Sequence, residues 1–201
     1  MEISANRFTA QRVQMAHSWL VQAAESISAA DFAQVFSPDA PPIGWHLWHM
    51  ARFADRLQAK LSQLEEDEAR EEIWEQENVP GLWKVTPDRL GVFASGMGQA
   101  HEDAQGTIAT AGQDAVLAYA RGVFAACNGA INRLTDGDFE RTYYGILDYS
   151  YDPATGIVQA TGPKESIVAQ DLVFHASHGS RHMGMMEALR GLLGRAGTLT
   201  V

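Results

Sequence analysis

The chain has 201 residues, of which 46% are hydrophobic and 20% are charged, a composition typical of a globular protein long enough to bury a full core. Its formal net charge of −10 argues against nonspecific binding to nucleic acid or to an anionic membrane. The single cysteine, Cys127, excludes an intramolecular disulfide and a thiolate zinc cluster, so any metal site must use nitrogen and oxygen ligands.

Targeting signals are absent from the sequence pattern. No stretch approaches the roughly 18 apolar residues of a membrane span. The first residues also lack the basic start and apolar core of a signal peptide. We therefore expect a cytoplasmic protein that forms a single domain over residues 1–201, because no repeat, low-complexity tract or linker divides it.

The first predicted helix runs from about Thr9 to Ala29, with apolar residues recurring every three or four positions. A second helix begins after Pro42, since proline is tolerated where a helix starts. Its apolar positions alternate spacings of four and three and so predict a bundle seam; they are Ile43, Leu47, Met50, Ala54, Leu57, Leu61 and Leu64. The acidic run 65–72 that follows is interpreted as a solvent-exposed helix end.

Two long connections and two more helices complete the predicted order. Residues 73–112 look irregular apart from a short helix capped by Thr86. A third helix spans about Asp114 to Leu134, and the connection 139–164, which contains four tyrosines, is expected to hold a small hairpin or lid. A fourth helix covers about 166–194. The fold class is therefore all-α, a four-helix bundle with long connections.

The histidines form the main functional signal. His175, His178 and His182 lie on the fourth helix, and His46 and His49 lie one turn apart on the second. Burying several imidazoles without a partner would cost roughly 1–3 kcal/mol each, a cost that a shared cation removes. The pattern therefore predicts a metal site.

Helix geometry limits which histidines can share one ion. His178 and His182 face the same way because residues four apart lie on one helix face. His175 and His182 are about 10.5 Å apart along the helix axis, so only one adjacent pair can coordinate. On the second helix, a helical wheel places His46 nearer the apolar seam than His49, and the residue pattern alone favours His46 as the inward residue.

The chain resembles the DinB-like superfamily of metal-binding four-helix bundles. The resemblance rests on His49-Met50-Ala51 after a proline-rich entry, on His178-Gly-Ser-Arg-His182, and on the downstream segment 188–194. It implies that His49, His178 and His182 are the metal ligands, with His46 and His175 as neighbours. A ferritin-like di-iron bundle would need a Glu-x-x-His motif, which does not occur here.

The resemblance also implies a class of activity. Three imidazoles leave a coordination position open on a divalent ion such as zinc, nickel or iron. Some DinB-like proteins transfer a low-molecular-weight thiol, such as bacillithiol or mycothiol, to an electrophile. The expected function is a metal-dependent thiol transferase acting on small molecules; the alternatives are a metal-dependent hydrolase and a non-catalytic bundle with a structural metal.

Several further residues are candidates for the site or for assembly. Arginines near the histidines could bind substrate carboxylates or lie on the surface; they are Arg52, Arg56 and Arg181. A closed metal shell would take a fourth ligand from His46, Asp55, His101, Glu102 or Asp103. Aromatic residues outside the seams suggest a homodimer or packing beneath the long connections; they are Trp19, Phe32, Phe36 and Trp83.

Overall fold

The computed structural model describes residues 4–66 and 69–197. Two 3-10 helices, Pro87–Arg89 and Asp136–Glu140, lie among its α-helices and β-strands. In chain order these are α1 (Ala5–Glu25), α2 (Ala29–Phe32), α3 (Ile43–Leu61), α4 (Gln63–Glu66), α5 (Ile73–Gln76), α6 (Val79–Trp83), α7 (His101–Ala111), α8 (Gln113–Arg133), β1 (Thr142–Tyr144), β2 (Tyr149–Tyr151), β3 (Val158–Ala160), β4 (Glu165–Ile167) and α9 (Val168–Leu192).

Four long helices form the body of the protein. Helix α3 packs against α8 and α9, and α1 packs against the same two helices, so that the four close around a shared apolar core. The seam predicted on the second helix is buried from Ile43 to Leu61. The prediction of an all-α four-helix bundle is confirmed.

Serine side chains set the limits of the first helix. Ser4 accepts a hydrogen bond from the Arg7 backbone N–H, so α1 begins four residues earlier than predicted. At its other end α1 stops at Glu25, and Ser28 caps the separate short helix α2. The predicted end at Ala29 was wrong because the apolar pattern continues through Ile27, which is buried outside the helix.

The connection 73–112 contains more helix than its sequence indicated. Helix α7 accounts for eleven residues of it, and α5 and α6 for nine more. The sequence analysis missed helix α7 because only three of its residues are buried, Ala104, Thr107 and Ile108, so its apolar residues show little helical periodicity. Thr86 makes no capping hydrogen bond, and the short helix after it is a single 3-10 turn.

The acidic run after the second helix is less exposed than expected. Glu72 is only 23% exposed at its side chain and pairs with Arg52 of α3. The interpretation of the whole run as a solvated helix end was therefore wrong at Glu72; residues 67 and 68 lie outside the described residues.

The third and fourth helices match the prediction closely, and the connection between them forms two small antiparallel sheets. Strand β1 pairs with β4, with Tyr143 opposite Ser166, and β2 pairs with β3 as a hairpin. The predicted hairpin is confirmed. Helix α9 begins at Val168 rather than Ser166 because Ser166 and Ile167 belong to β4.

The aromatic residues that suggested an exposed surface are largely packed inside. Phe32 is fully buried, and a Cβ at Gly44 would lie 2.2 Å from its ring, so glycine at the start of α3 allows this close contact. Trp83 is also buried, with its ring edge-on to those of Trp74 and Tyr119. Cys127 is buried in α8. Among the described helices, none is long and apolar enough to cross a membrane.

Candidate metal centre

Three imidazoles converge between α3 and α9. His49 Nε2 lies 3.2 Å from His178 Nε2, and His178 Nε2 lies 2.9 Å from His182 Nε2. Among the described residues, these three histidines are the group that could hold a metal ion, since one ligand atom of each lies within 4.8 Å of the others. All three side chains are buried.

The tautomer of His49 suits metal binding. Its Nδ1–H donates to the Ser95 backbone carbonyl, which can only accept, so Nε2 carries the lone pair. Two zinc-bound nitrogens at about 2.0–2.1 Å from the ion in a tetrahedral shell are roughly 3.3 Å apart. The observed spacings of the Nε2 atoms are close to that value, so the residues present fit a divalent ion.

Aromatic rings enclose the three histidines. The Trp45 ring stacks on His49 with a centroid distance of 4.6 Å, and Phe53 meets His178 edge-on at 4.6 Å. Phe174 contacts His178 from the same helix. Trp48, by contrast, is buried in the core. This apolar shell fixes the orientation of the rings and excludes water from their sides.

Burial keeps the imidazoles neutral. It lowers the pKa of His178 to about 3, with a further contribution from the positive charge of Arg181. Burial is also the main cause that holds the pKa of His49 and His182 well below the ordinary value, and repulsion between neighbouring rings acts in the same direction. At neutral pH each ring is therefore neutral, with one N–H and one nitrogen whose lone pair is available, as a histidine metal ligand requires.

His46 and His175 lie outside the group, and each has its own partner. His46 Nδ1 is 2.9 Å from His182 Nδ1, and His175 Nε2 is 2.8 Å from His17 Nε2 on α1. The group contains His49, as the family resemblance implied, and not His46, as the helical wheel favoured. The wheel failed because α3 is buried on nearly all sides, so its apolar seam no longer defines a single inward direction.

Two of the three candidate arginines are buried and form ion pairs within the protein. Arg52 is 2% exposed and bonds Asp55, Glu72 and the hydroxyl of Tyr119. Arg56 is equally buried and pairs with Asp148. Neither arginine lies on the surface. Every nitrogen of the Arg52 guanidinium donates a hydrogen bond within the chain, so Arg52 is not a substrate-binding group.

Arg52 instead fixes the backbone beside the site. It donates to the carbonyls of Phe93 and Ala94, which both have a left-handed backbone conformation, with φ of 57° and 48°. Such conformations are strained for residues with a Cβ and persist where the surroundings determine them. The next residue, Ser95, supplies the carbonyl that orients His49, so Arg52 supports the site through this segment.

The other proposed fourth ligands do not join the group. Both carboxylate oxygens of Asp55 are bonded within the chain. His101, Glu102 and Asp103 belong to α7, outside the three-histidine group. Arg181 is exposed, and its charge acts on all three histidines.

The tyrosine-rich connection reaches the site through one residue. Tyr149 is partly buried, with its ring 6.5 Å from that of Phe53, which in turn contacts His178. Tyr143 donates its hydroxyl to Asp171 instead, while Tyr144 and Tyr151 are exposed. From the length of this connection we predict that the stretch Tyr143 to Tyr151 shapes a substrate pocket, and Tyr149 is the tyrosine of this stretch that reaches the aromatic shell of the site.

Sequence reasoning missed His17, which pairs with His175 beside the centre, and Ser95, which orients His49 within it. His17 was overlooked, although it lies four residues after Val13 and three before Leu20 on the apolar face of α1, a position that predicts burial. Ser95 had no signal in the sequence because it acts through its backbone carbonyl, which every residue carries.

The fold and the centre together define a helical bundle with a buried three-histidine group able to hold a metal ion. Residues 13–186 match the model of the DinB superfamily, and the chain belongs to that family. It is also similar to a solved structure described as the conserved protein of locus from Enterococcus faecalis, with a TM-score of 0.67 and 16% identity over 96% of this chain and 100% of that one. At this identity the likeness supports the fold alone. No match was found among curated proteins.

Proposed function

We propose that His49, His178 and His182 bind one divalent ion, and that the protein is a metal-dependent enzyme that transfers a low-molecular-weight thiol to an electrophilic small molecule. The observation that carries this proposal is the convergence of three Nε2 atoms from two helices. Zinc, nickel and iron all suit imidazole ligands. An ion held there would supply an open, electrophilic position that lowers the pKa of a bound thiol or water.

The charge of the site favours an anionic ligand. The three histidines are neutral, and among the described residues no carboxylate joins them as a further metal ligand. Arg181 adds a positive charge nearby. A site of this charge binds a thiolate more strongly than a neutral molecule.

The chain's own residues would position the reactants. Trp45, Phe53 and Phe174 exclude water from the sides of the histidines, and Tyr149 lies where it can line the approach. In the proposed transfer the thiol sulfur forms a bond to the electrophilic atom, the leaving group departs with the bonding electron pair, and the thiol proton passes to solvent. Arg181 is placed to attract the anionic reactant.

Metal analysis of untagged protein tests the first part of the proposal. The wild type should hold one equivalent of metal, and His49→Ala, His178→Ala and His182→Ala should each lose it. His101→Ala, which changes an exposed histidine of α7, is the matched control and should keep a full equivalent. A full equivalent in His178→Ala would contradict the triad.

A cobalt-substituted sample tests the second part. Titration with 2-mercaptoethanol and N-acetylcysteine should change its visible spectrum as sulfur enters the coordination shell. An unchanged spectrum with four protein ligands would favour a structural metal. A thiol response without turnover on any electrophile would leave binding without catalysis, and turnover of esters or amides without thiol would favour the hydrolase.

A further inference from the structure

The contact between His46 and His182 joins the candidate metal centre to a residue outside it. Their Nδ1 atoms are 2.9 Å apart, and both side chains are buried, with exposed fractions of 4% and 6%. His46 lies one turn before His49 on α3, so this helix supplies both a member of the group and a contact to another member.

The positions of the protons follow from this geometry. His182 directs Nε2 at His178, so Nε2 is the nitrogen available to a metal ion. A neutral imidazole that binds metal through Nε2 must carry its proton on Nδ1. The Nδ1 of His46 must then accept that proton in a hydrogen bond, and His46 carries its own proton on Nε2.

We propose that His46 is a positioning residue that accepts the Nδ1–H of His182 and so fixes the tautomer and ring orientation with which His182 binds metal. This inference rests on the proposed metal-binding function. The Ser95 carbonyl performs the same role for His49. His178 has no such acceptor among the described residues, since its buried Nδ1 is unpartnered. Two of the three ligands are thus oriented by hydrogen-bond acceptors within the chain.

The acceptor in this case is a neutral imidazole. Metal-bound histidines commonly donate to a carboxylate, a backbone carbonyl or water, and a carboxylate there adds negative charge to the site. An imidazole and a carbonyl orient the ligands without that charge. The positive charge that favours an anionic reactant is therefore preserved.

The surroundings of His46 allow a decisive substitution. Its ring meets Trp45 edge-on and forms part of the wall of an apolar cavity of about 270 Å³, together with Pro41 and Met185. In His46→Leu the side chain still fills the apolar wall of the cavity, but it has no nitrogen to accept the Nδ1–H of His182. His46→Asn keeps an acceptor oxygen at the position of Nδ1, so it is the conservative variant that should rescue binding.

Zinc affinity, measured by competition with a chelating dye, tests the inference. His46→Leu should weaken zinc binding by about 10- to 100-fold, the usual effect of losing such a partner. His46→Asn should restore most of the loss, whereas His101→Leu should bind as the wild type does. Circular dichroism at neutral pH shows whether each variant is folded.

Nitrogen-15 NMR of the zinc-loaded wild type gives an independent measurement. It should show His182 with a protonated, hydrogen-bonded Nδ1 and a metal-bound Nε2, and His46 protonated on Nε2. A proton on His46 Nδ1, wild-type affinity in His46→Leu, or equal weakness of the Leu and Asn variants would each overturn the role of His46 while the metal site stands. Failure of the wild type to bind zinc, nickel or iron would overturn both proposals.

Discussion

His17 and His175 face each other across the bundle with their Nε2 atoms 2.8 Å apart, although 158 positions separate them in the chain. His17 is held in turn by Asn128 through Nδ1, and its ring stacks on Phe124 at 4.1 Å. This pairing joins α1, α8 and α9. It also explains why His175, one turn before His178, has a partner of its own outside the three-histidine group.

The His17 ring should make stability depend on pH. Burial lowers its pKa from 6.5 to about 4, so between these values the unfolded chain binds more protons than the folded one. The free energy of unfolding is therefore highest above pH 6.5. Protonation of this ring in the unfolded chain lowers it as the pH decreases towards 4, by up to about 1.4 kcal/mol per pH unit.

Urea unfolding of metal-free protein at several pH values measures this dependence. His17→Phe retains a ring beside Phe124 but cannot bind a proton, so its curve should be shallower than that of the wild type between pH 6.5 and 4. Above pH 7 the two curves should run parallel. Equal slopes throughout the acidic range would show that His17 is not the source.

Asp55 should be a major contributor to stability. It is fully buried and accepts hydrogen bonds from Arg52, from the Tyr119 hydroxyl and from the backbone N–H groups of Ile73 and Trp74. Asp55→Ala removes one of the two carboxylates that pair with the buried Arg52, and it leaves two backbone N–H groups and the Tyr119 hydroxyl without their acceptor. We expect a loss of about 3–5 kcal/mol in the free energy of unfolding.

The matched comparison for Asp55 is an exposed ion pair. Glu25 and Arg121 pair at the surface, so Glu25→Ala should cost less than about 1 kcal/mol. Denaturant unfolding of both variants at neutral pH provides the values. A loss at Asp55 no larger than that at Glu25 would refute the structural role of the buried network.

Cys127 should be unreactive in the folded protein. It is fully buried in α8, and burial raises the pKa of its thiol well above the ordinary value. An aromatic disulfide reagent should therefore find no stoichiometric thiol in native protein at pH 8 and one thiol per chain in urea. Rapid reaction of one equivalent in the native protein would contradict the buried position.

A homodimer remains a prediction, but the structure indicates a different contact surface from the one that the sequence suggested. Phe32 and Trp83 are buried, but Phe8 of α1 and Val173 of α9 line one groove and are 59% and 52% exposed. Sedimentation at micromolar concentration should show a dimer that Val173→Glu dissociates. Ile157→Glu, in the exposed hairpin, should leave it intact, and a single 21.9 kDa species for the wild type would rule it out.

The periodicity of the sequence determined the bundle. Long runs of buried positions at spacings of three and four specify α1, α3 and α8 with little dependence on the rest of the chain, because a helix makes its backbone hydrogen bonds within itself. The pair His178 and His182 is determined in the same local way. Helix α7 escaped prediction because few of its residues are buried, so its sequence carries little period.

Only the tertiary structure decided which other groups complete the centre. The choice of His49 over His46 depends on where α9 crosses α3 and on the Ser95 carbonyl, whose position is set by the strained turn at Phe93 and Ala94. Likewise, the sequence allowed Arg52 to be either a substrate-binding residue or an exposed one, and its ion pairs with Asp55 and Glu72 exclude both. Apart from Arg52–Asp55, which lies within one helical turn, these contacts join residues distant in the chain. Their energies depend on burial and direction, which the spacing of residues along a helix does not encode.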